Sequence, residues 1–537
     1  RTRVCEFADI FFRHVPESDF AARSADDDAS LIIGTWKRFQ GRATDGVQIE
    51  VANPVHARDG WQSPHTVVWL MIRNMPFVVD SVLMALSHDG QVTHFLNNVV
   101  MGVDRLETGE IAALTTDIHH PHRELLLYAE VDRLADEDLQ PLEHRLEETI
   151  ADLTAVVDDF PYLKEKLKEV TALSRDAVVP NGNLDESLAF LSWLASDSFT
   201  FLGFREFEYV GDCIRQVGDP LGILRVRDPA SERRLSEQPE RTRAFLLEGS
   251  LIAFSKSGTR SRVHRPAYPD YVGVRRFDDE GNVIGEFGFL GLYTSPVYRQ
   301  DPLEIPLIRQ KVAAVLSRSG FDPRGFDGKV LTHLLATYPR DELFEIGEDE
   351  LLDVAVAVTN IHERRVIRIF PRVESYGLFV TCLVYLPRDL FNTRARMMIE
   401  ALLRDTFDAE DVDYDIHLSE SILARLQYTL RIRPGTDVVF DREALERSIA
   451  ELISDWTSEL GRAFQAAFGE TVGRKHLREY ANGFPAGYRE GYTPRDAADD
   501  VASFELLSAE HPLLTRFYNL PEDETDRLRL KVFHLGG

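Results

Sequence analysis

Apolar residues follow two different periods in the first part of the chain. The run 66–72 is continuous and rich in β-branched and aromatic residues, which predicts a buried strand. In the following segment, 73–90, apolar residues recur at helical spacing, namely Val78, Val79, Val82, Leu83 and Leu86. Pro76 is well placed to open this helix and Gly90 to close it. A second apolar run at 92–103 predicts another strand. Residues 74–77, between the first strand and the helix, form a short segment that we call the polar neck.

The same patterns predict further elements before and after this unit. Helices are expected over 5–14 and 21–39, and strands over 47–52 and 124–131. Beyond them, apolar positions predict one helix over 142–157 and a second over 162–173. Strands with helices on one face describe a small α+β sandwich followed by a helical pair.

A second α+β segment is predicted from about residue 183. The stretch 185–196, DESLAFLSWLAS, favours a helix with Asp185 as its N-cap, and 199–209 alternates in strand fashion. The stretch 271–295 contains two strand-like runs joined by Asp-Asp-Glu-Gly-Asn, which indicates a hairpin. A helical connector is expected next, with helices over 305–317 and 328–337.

The last third of the chain repeats the pattern once more. Strands are predicted at 364–372, 378–387, 412–418 and 423–433. Helices are predicted at 392–404 with Asn392 as a cap, at 441–468 and at 495–507. The final residues, 528–537, are expected to form a strand with no partner after it, as at the cut edge of a larger protein.

The predicted fold class is α+β, with three small units that alternate with helical motifs. No fixed period of 20–50 residues recurs, so the chain is not a short-period repeat protein. The expected segments are 1–132, 133–182, 183–298, 299–350, 351–436 and 437–537.

Composition and charge restrict the classes of partner. The 537 residues carry a formal net charge of −28, which argues against binding to nucleic acid or to an anionic membrane, because both need the opposite sign. No run approaches transmembrane length, and the N-terminus shows no signal pattern. The three cysteines are far apart, which fits neither a disulfide framework nor a zinc site and favours the cytoplasm.

The polar neck is the first candidate binding site. Asn74 and Asp80 flank a turn at a helix N-terminus, where exposed N–H groups suit a carboxylate. Asp80 could instead cap the helix or pair with Arg73, and turn chemistry alone would also explain these residues.

Other charged or imidazole side chains form weaker candidates. Arg340 and Asp341 could meet an anion or an interface, although acidic residues at a helix start also favour the dipole. Arg388 and Arg394 flank the predicted start of the 392–404 helix and could contribute to an anion pocket or an interface, although helix capping also explains this segment. The cluster DIHHPHRE at 117–124 could hold a metal through His119, His120 and His122, but a solvated loop is the favoured interpretation, and no metal site is predicted.

Nucleotide and hydrolase motifs are missing from the sequence. No GxGxxG follows a strand, and no GxSxG or HExxH is present. The stretch GFDPRGFDGK at 320–329 places its lysine wrongly for a phosphate loop.

Several long blocks resemble the N-terminal half of the large bacterial NAD-dependent glutamate dehydrogenases. These blocks are NMPFVVDSV (74–82), FLGLYTSPVY (289–298), IPLIRQKVAAVLSRSGFDP (305–323), YPRDELF (338–344), FVTCLVYLPRD (379–389) and NGFPAGYREGYTPRDAADD (482–500). They lie in the family's order along nearly the whole chain. The resemblance implies three ACT-like domains, each a ferredoxin-like sandwich, separated by helical motifs.

The resemblance also implies a function and a division of labour. The parent enzyme would oxidise L-glutamate to 2-oxoglutarate and ammonium with NAD, while this segment would be regulatory, form homo-oligomers, contact its own catalytic domain and bind no cofactor itself. An amino-acid effector is the alternative role. The family lends only the neck positions to such an effector, namely Asn74, Met75, Pro76, Phe77 and Asp80. Typical ACT loops have glycine where this chain has Phe77, which favours a structural neck facing a neighbouring domain or subunit.

Overall fold

The computed structural model describes residues 2–20, 24–41, 46–227, 232–362, 364–418, 421–436, 438–453, 456–518 and 529–536. The chain divides into two compact units. The first unit is Arg1–Asn360 with Glu374–Leu378, and the second is Ile361–Val373 with Phe379–Gly537. Within the described ranges, no helix combines the length and the apolar character needed to cross a membrane.

The elements confirm a mixed α and β fold. The helices are α1 Thr2–Phe11, α2 Glu17–Phe20, α3 Ala25–Gly41, α4 His56–Asp59, α5 Val78–Leu86, α6 Asp136–Leu173, α7 Leu184–Trp193, α8 Ile223–Val226, α9 Glu240–Leu246, α10 Ile308–Arg318, α11 Phe326–Ala336, α12 Arg340–Glu345, α13 Glu348–Thr359, α14 Thr393–Phe407, α15 Arg442–Ile453, α16 Trp456–Phe468, α17 Glu470–Tyr480, α18 Ala486–Gly491 and α19 Pro494–Phe504. The strands are β1 Gln48–Ala52, β2 Thr66–Arg73, β3 Thr93–Arg105, β4 Ile111–Thr115, β5 Arg123–Val131, β6 Phe199–Val210, β7 Cys213–Gly222, β8 Arg233–Arg234, β9 Ile252–Lys256, β10 Asp270–Phe277, β11 Val283–Tyr293, β12 Arg368–Val373, β13 Phe379–Pro387, β14 Asp411–Leu418, β15 Leu423–Arg431, β16 Leu513–Tyr518 and β17 Arg529–His534.

The first sheet has the order β1-β2-β5-β3-β4. Helices cover both of its faces, so the prediction of a sandwich with helices on one face is wrong for this sheet. One face of β2, including Trp69, packs with aromatic residues of α1 and α3 such as Phe7 and Trp36. The other face, including Leu70, packs against α5 and α6. Burial on two sides explains why the run 66–72 is continuously apolar instead of alternating. Each fully buried large apolar side chain there contributes about 1.5–3 kcal/mol.

The helix α6 connects the cores of the first and second sheets. It runs without interruption through Pro141 and Pro161, whereas the sequence predicted two helices that end and begin around Pro161. Its buried residues continue on both sides of that proline, from Leu153 to Leu163 and Leu167. One apolar cluster contains residues of α6 together with residues of β2 and of β6, so tertiary packing holds the helix across the proline.

The second sheet has the order β8-β7-β6-β11-β10-β9 and confirms the predicted hairpin, with β10 antiparallel to β11. Helix α7 precedes β6, and its N-cap is Asn183, whose side chain accepts a hydrogen bond from Glu186 N. The prediction of Asp185 as the N-cap is therefore wrong. An N-cap at Asp185 would start the helix at Glu186, whereas the helix begins two residues earlier, at Leu184.

The second unit contains a sheet of order β12-β13-β15-β14 and a short hairpin, β16-β17. Asn392 caps α14 by accepting a hydrogen bond from Ala395 N, as the sequence predicted. The final strand pairs in antiparallel register with β16, which the sequence pattern did not predict. The predicted helix 441–468 is found as α15 and α16, and residues 454 and 455 between them lie outside the described residues, as do residues 21–23 of the predicted 21–39 helix.

Candidate functional site

The polar neck forms a tight turn between β2 and α5. The helix begins at Val78, two residues after Pro76, and Phe77 precedes it with a positive φ of 65°. Asn74 N donates to Arg123 O at 2.8 Å, which continues the pairing of β2 with β5. Asp80 is exposed in the first turn of the helix, where its charge suits the dipole.

A loop of the first unit that follows β9 packs on the neck. The ring of His264 lies 4.5 Å from that of Phe77, and His264 N donates to Ser81 Oγ at 3.1 Å. Burial and the charge of Arg265 lower the pKa of His264, against the raising effect of Asp80. Arg73 forms its ion pair with Asp158 on α6. The Phe77 side of the neck is thus in contact with another part of its own chain.

The residues Arg340 and Asp341 lie at the start of α12 and have different surroundings. Arg340 is buried and donates to the carbonyl oxygens of Ala336, Tyr338 and Gln300 at 2.8–2.9 Å. Asp341 Oδ1 accepts from the Tyr298 hydroxyl at 3.1 Å. Arg340 therefore stabilises the turn before α12 by hydrogen bonds from its guanidinium to these backbone carbonyl oxygens.

A buried cation lies among three carboxylates at the edge of the second sheet. The Lys256 ammonium is 2.8 Å from Asp270 Oδ1, 3.3 Å from Asp341 Oδ2 and 3.9 Å from Glu345 Oε1. Burial alone would lower the pKa of Lys256, but the charges of the three carboxylates hold that pKa well above its usual range. Burial raises the pKa of Asp270 to about 6 in spite of the opposing charge of Lys256.

The residues Arg388 and Arg394 belong to the second unit. Arg388 begins a short 3₁₀ turn after β13 and lines a cavity of about 470 Å³ together with Arg365, Asp389 and Ile422. Asp389 is ion-paired with Arg365. Arg394 is exposed in the first turn of α14 and does not line that cavity.

The three histidines before β5 are held in loop contacts. His120 Nε2 lies 3.3 Å from Asp104 Oδ1, and His120 Nδ1 lies 2.9 Å from His122 O. His119 is exposed. Among the residues that the structure describes, a different group brings its donor atoms within 4.8 Å of one another, namely His476, Glu479 and Glu505.

A cavity of about 340 Å³ lies on one face of the second sheet. Its polar lining includes Arg205 of β6, Arg233 of β8, Tyr271 of β10 and Glu286 of β11. Phe207, Ile214 and Leu246 form an apolar part of its wall. Strands were predicted over 199–209 and within 271–295, but none of their charged residues was singled out, and no strand was predicted at β8.

The register of the sheet brings these side chains to one face. Arg205 pairs with Gly288, and Phe207 pairs with Glu286. Across the hairpin, Gly273 pairs with Gly288. Alternation along each strand then puts Arg205, Glu286 and Tyr271 on the same side as the two glycines.

The two paired glycines leave the space that the polar groups occupy. A Cβ on Gly273 would lie 2.5 Å from Glu286 Oε2, and a Cβ on Gly288 would lie 2.2 Å from the Tyr271 hydroxyl. Neither distance is compatible with a side chain larger than hydrogen unless these groups move. The glycines therefore form a floor over which Tyr271 and Glu286 lie.

The two carboxylate oxygens of Glu286 have different surroundings in this cavity. Tyr271 donates a 2.5 Å hydrogen bond to Glu286 Oε1, whereas Glu286 Oε2 is buried and has no hydrogen-bond partner. Burial raises the pKa of Glu286, and the charges of Arg275 and Arg233 oppose that rise. Burial and the charges of Arg227 and Arg233 lower the pKa of Arg205. A buried carboxylate oxygen without a donor is costly and marks the cavity as a candidate binding site.

Comparison with known proteins identifies four segments by family models. Residues 7–146 match the ACT1 domain of glutamate dehydrogenase, and residues 368–457 match its ACT2 domain. Residues 305–364 and 463–507 match helical motifs 1 and 2 of glutamate dehydrogenase. These matches support a fold with ACT domains and helical motifs, while the number, bounds and order of the segments stay predictions.

Three relatives are described as NAD-specific glutamate dehydrogenases. The protein of Halomonas elongata is 35% identical over 99% of this chain, and that of Pseudomonas aeruginosa is 36% identical over 99%. The protein of Mycobacterium tuberculosis is 28% identical over 80% of this chain. The chain spans 34% of the length of each of the first two, a smaller share than the half that the resemblance implied.

Proposed function

We propose that the chain belongs to the family of the NAD-specific glutamate dehydrogenases and forms the regulatory and assembly region of such an enzyme. Its relatives and its matches to ACT domains and helical motifs support this proposal. The match to two ACT domains and two helical motifs of glutamate dehydrogenase carries the proposal. The parent enzyme would convert L-glutamate, NAD⁺ and water to 2-oxoglutarate, ammonium, NADH and a proton.

In this proposal the hydride transfer takes place outside these residues. The chain spans 34% of the length of the Halomonas elongata and Pseudomonas aeruginosa relatives, and no GxGxxG motif follows a strand in its sequence. NAD would therefore be bound by a catalytic domain to which this region is attached. The region would position that domain and associate with copies of itself, in the cytoplasm, where its free cysteines would stay reduced.

The experiment is an assay of the purified chain with L-glutamate and NAD⁺. We expect no glutamate-dependent NADH, while a full-length relative assayed alongside as the positive control produces it. Light scattering after size exclusion is expected to give a mass above that of one 61.1 kDa chain. Turnover by the chain alone would overturn the non-catalytic assignment, and a monomeric mass would overturn the assembly role.

Amino-acid sensing is the second candidate function, favoured by the cavity on the second sheet with its two arginines and buried glutamate. The neck residues Asn74, Met75, Pro76, Phe77 and Asp80 are the other candidate positions for such a ligand. Calorimetry with a panel of amino acids separates the two positions when the wild type is compared with Asp80→Ala. Binding that Asp80→Ala abolishes would assign the ligand to the neck.

A further inference from the structure

We propose that the cavity on the second sheet binds a small molecule carrying both a carboxylate and a protonated amine, that is, an α-amino acid. Glu286 would accept the ammonium group, and Arg205 and Arg233 would bind the carboxylate. This site would be the location of the amino-acid sensing proposed above. The binding itself does not depend on that proposed function, but its effect on the enzyme does.

The acceptor for the ammonium group is the free oxygen of Glu286. This side chain belongs to a residue that is 2% exposed and lines the cavity, and its Oε1 is already engaged by Tyr271. Its Oε2 has no hydrogen-bond partner. A donor from the ligand would remove the cost of that orphaned oxygen, and a charged donor would also stabilise the ionised carboxylate.

The carboxylate would meet two guanidinium groups. Arg205 and Arg233 both line the cavity. Burial and the positive charges of Arg227 and Arg233 lower the pKa of Arg205, so this part of the cavity disfavours positive charge. Among the described residues, no carboxylate lies within salt-bridge distance of Arg233, whose guanidinium is 5.7 Å from the centroid of the Phe207 ring. A carboxylate between two guanidiniums would relieve this repulsion.

Size and wall chemistry limit the ligand further. A volume of about 340 Å³ is at the small end of the range for ligand pockets, which suits an amino acid more than a nucleotide. The apolar wall formed by Phe207, Ile214 and Leu246 gives room for an aliphatic side chain. Because the ligand's two charged groups are both required by the lining, neither a simple carboxylate nor a simple amine should bind as well.

The test is calorimetry on the full 537-residue chain with L-alanine, L-leucine, L-aspartate and L-glutamate. Propionate and ethylamine serve as probes that each lack one charged group. We expect at least one amino acid to bind, with both truncated probes weaker by about tenfold or more. If none of the four amino acids gives a heat of binding, the proposed site is wrong. If propionate binds as tightly as the amino acids do, the requirement for both charged groups is wrong.

Variants locate the binding. Glu286→Gln and Arg233→Met should each weaken it by about tenfold or more, and Arg233→Lys should restore part of the loss. The control is Arg215→Met on β7, which removes an exposed arginine that is paired with Glu208 and does not line the cavity. If Glu286→Gln fails to fold, Arg233→Met decides, since Arg233 is half-buried on the short strand β8.

Different measurements would contradict the amino-acid site and the regulatory and assembly function. Unchanged affinity in both cavity variants would move the ligand elsewhere and overturn this inference, whereas the regulatory and assembly function is judged by NADH formation and mass. Loss of affinity in the cavity variants with unchanged affinity in Asp80→Ala would support this site over the neck.

Discussion

The ammonium of Lys256 donates a 2.8 Å hydrogen bond to Oδ1 of Asp270, its direct cross-strand partner between β9 and β10. Both side chains are 8% exposed. Asp341 and Glu345 approach the same ammonium from α12, so one cation joins a helix to the edge of the second sheet. The group formed by Lys256, Asp270, Asp341 and Glu345, the Lys256 cluster below, has more negative than positive charges and depends on that one cation.

Removal of the cation from the Lys256 cluster should strongly destabilise the first unit. Lys256→Met leaves three carboxylates close together and mostly buried, and loss of one partner from a buried ion pair costs about 3–5 kcal/mol. Urea unfolding followed by calorimetric scans should show this loss in the transition of the first unit. Lys329→Met, at an exposed lysine of α11, is the control and should change stability by less than about 0.5 kcal/mol. Equal stability of the two variants would contradict the structural role of the cluster.

The stability of the wild type relative to Asp270→Asn should fall as pH rises. The folded-state pKa of Asp270 is about 6, above its ordinary value of 3.8, because burial disfavours the charge. Between those two values the folded state holds a proton that the unfolded state has lost, so the stabilising contribution is complete below the lower value and lost above the upper one. Asparagine at position 270 cannot titrate.

Melting temperatures of wild type and Asp270→Asn across this pH window measure the effect. The difference between them, wild type minus variant, should decrease from the acidic end to the neutral end. A difference that grows with pH would mean that the folded-state pKa of Asp270 is lowered, and that Lys256 outweighs burial.

Much of the fold followed from local patterns. The cap at Asn392, the hairpin of β10 and β11, and the buried strand β2 were predicted because each depends on residues close together in sequence. Helices on both faces of that strand were not predicted, because they come from segments distant in sequence. The continuous helix α6 was missed because Pro161 normally ends or kinks a helix, and only its packing with residues distant in sequence holds it together.

The cavity could not be derived from the sequence for a related reason. Arg205 and Glu286 are 81 residues apart by their numbering and meet through the pairing of β6 with β11. Alternation along each strand gives the faces, but the register between strands so distant in sequence is set by the whole sheet. At the neck, the positive φ of Phe77 was likewise hidden, because residues other than glycine rarely adopt it.

The cap of α7 gives a test at neighbouring residues. Asn183→Ala removes the side chain that accepts from Glu186 N at 3.2 Å, which should cost about 1 kcal/mol. Asp185→Ala, two positions later and exposed in the first turn, should lose only the smaller dipole term of about 0.3–1 kcal/mol. Thermal unfolding of both variants provides the comparison. A larger loss for Asp185→Ala would restore the cap that the sequence analysis had predicted.

Gly222, at the junction of β7 and α8, should tolerate no side chain. Its φ of 64° and ψ of −142° lie in a region that is essentially restricted to glycine, and a Cβ there would be 2.1 Å from the carbonyl oxygen of Leu202. Its N–H also donates to Asp159 Oδ2 of α6 at 2.8 Å, so a shift of this backbone would weaken this hydrogen bond between α6 and the second sheet. Gly222→Ala should therefore cost on the order of 3 kcal/mol or more.

The matched control for Gly222→Ala is Gly258→Ala in the same unit. A Cβ on Gly258 would meet its nearest neighbour, a Leu378 side-chain carbon, at an ordinary 3.7 Å, and its φ is not positive. Soluble yield and melting temperature of the two variants should differ clearly, with Gly258→Ala close to the wild type. If Gly222→Ala melted as the wild type does, the backbone at Gly222 could not lie as close to the Leu202 carbonyl oxygen as it does here, and the pairing of β6 with β7 at this point would be wrong.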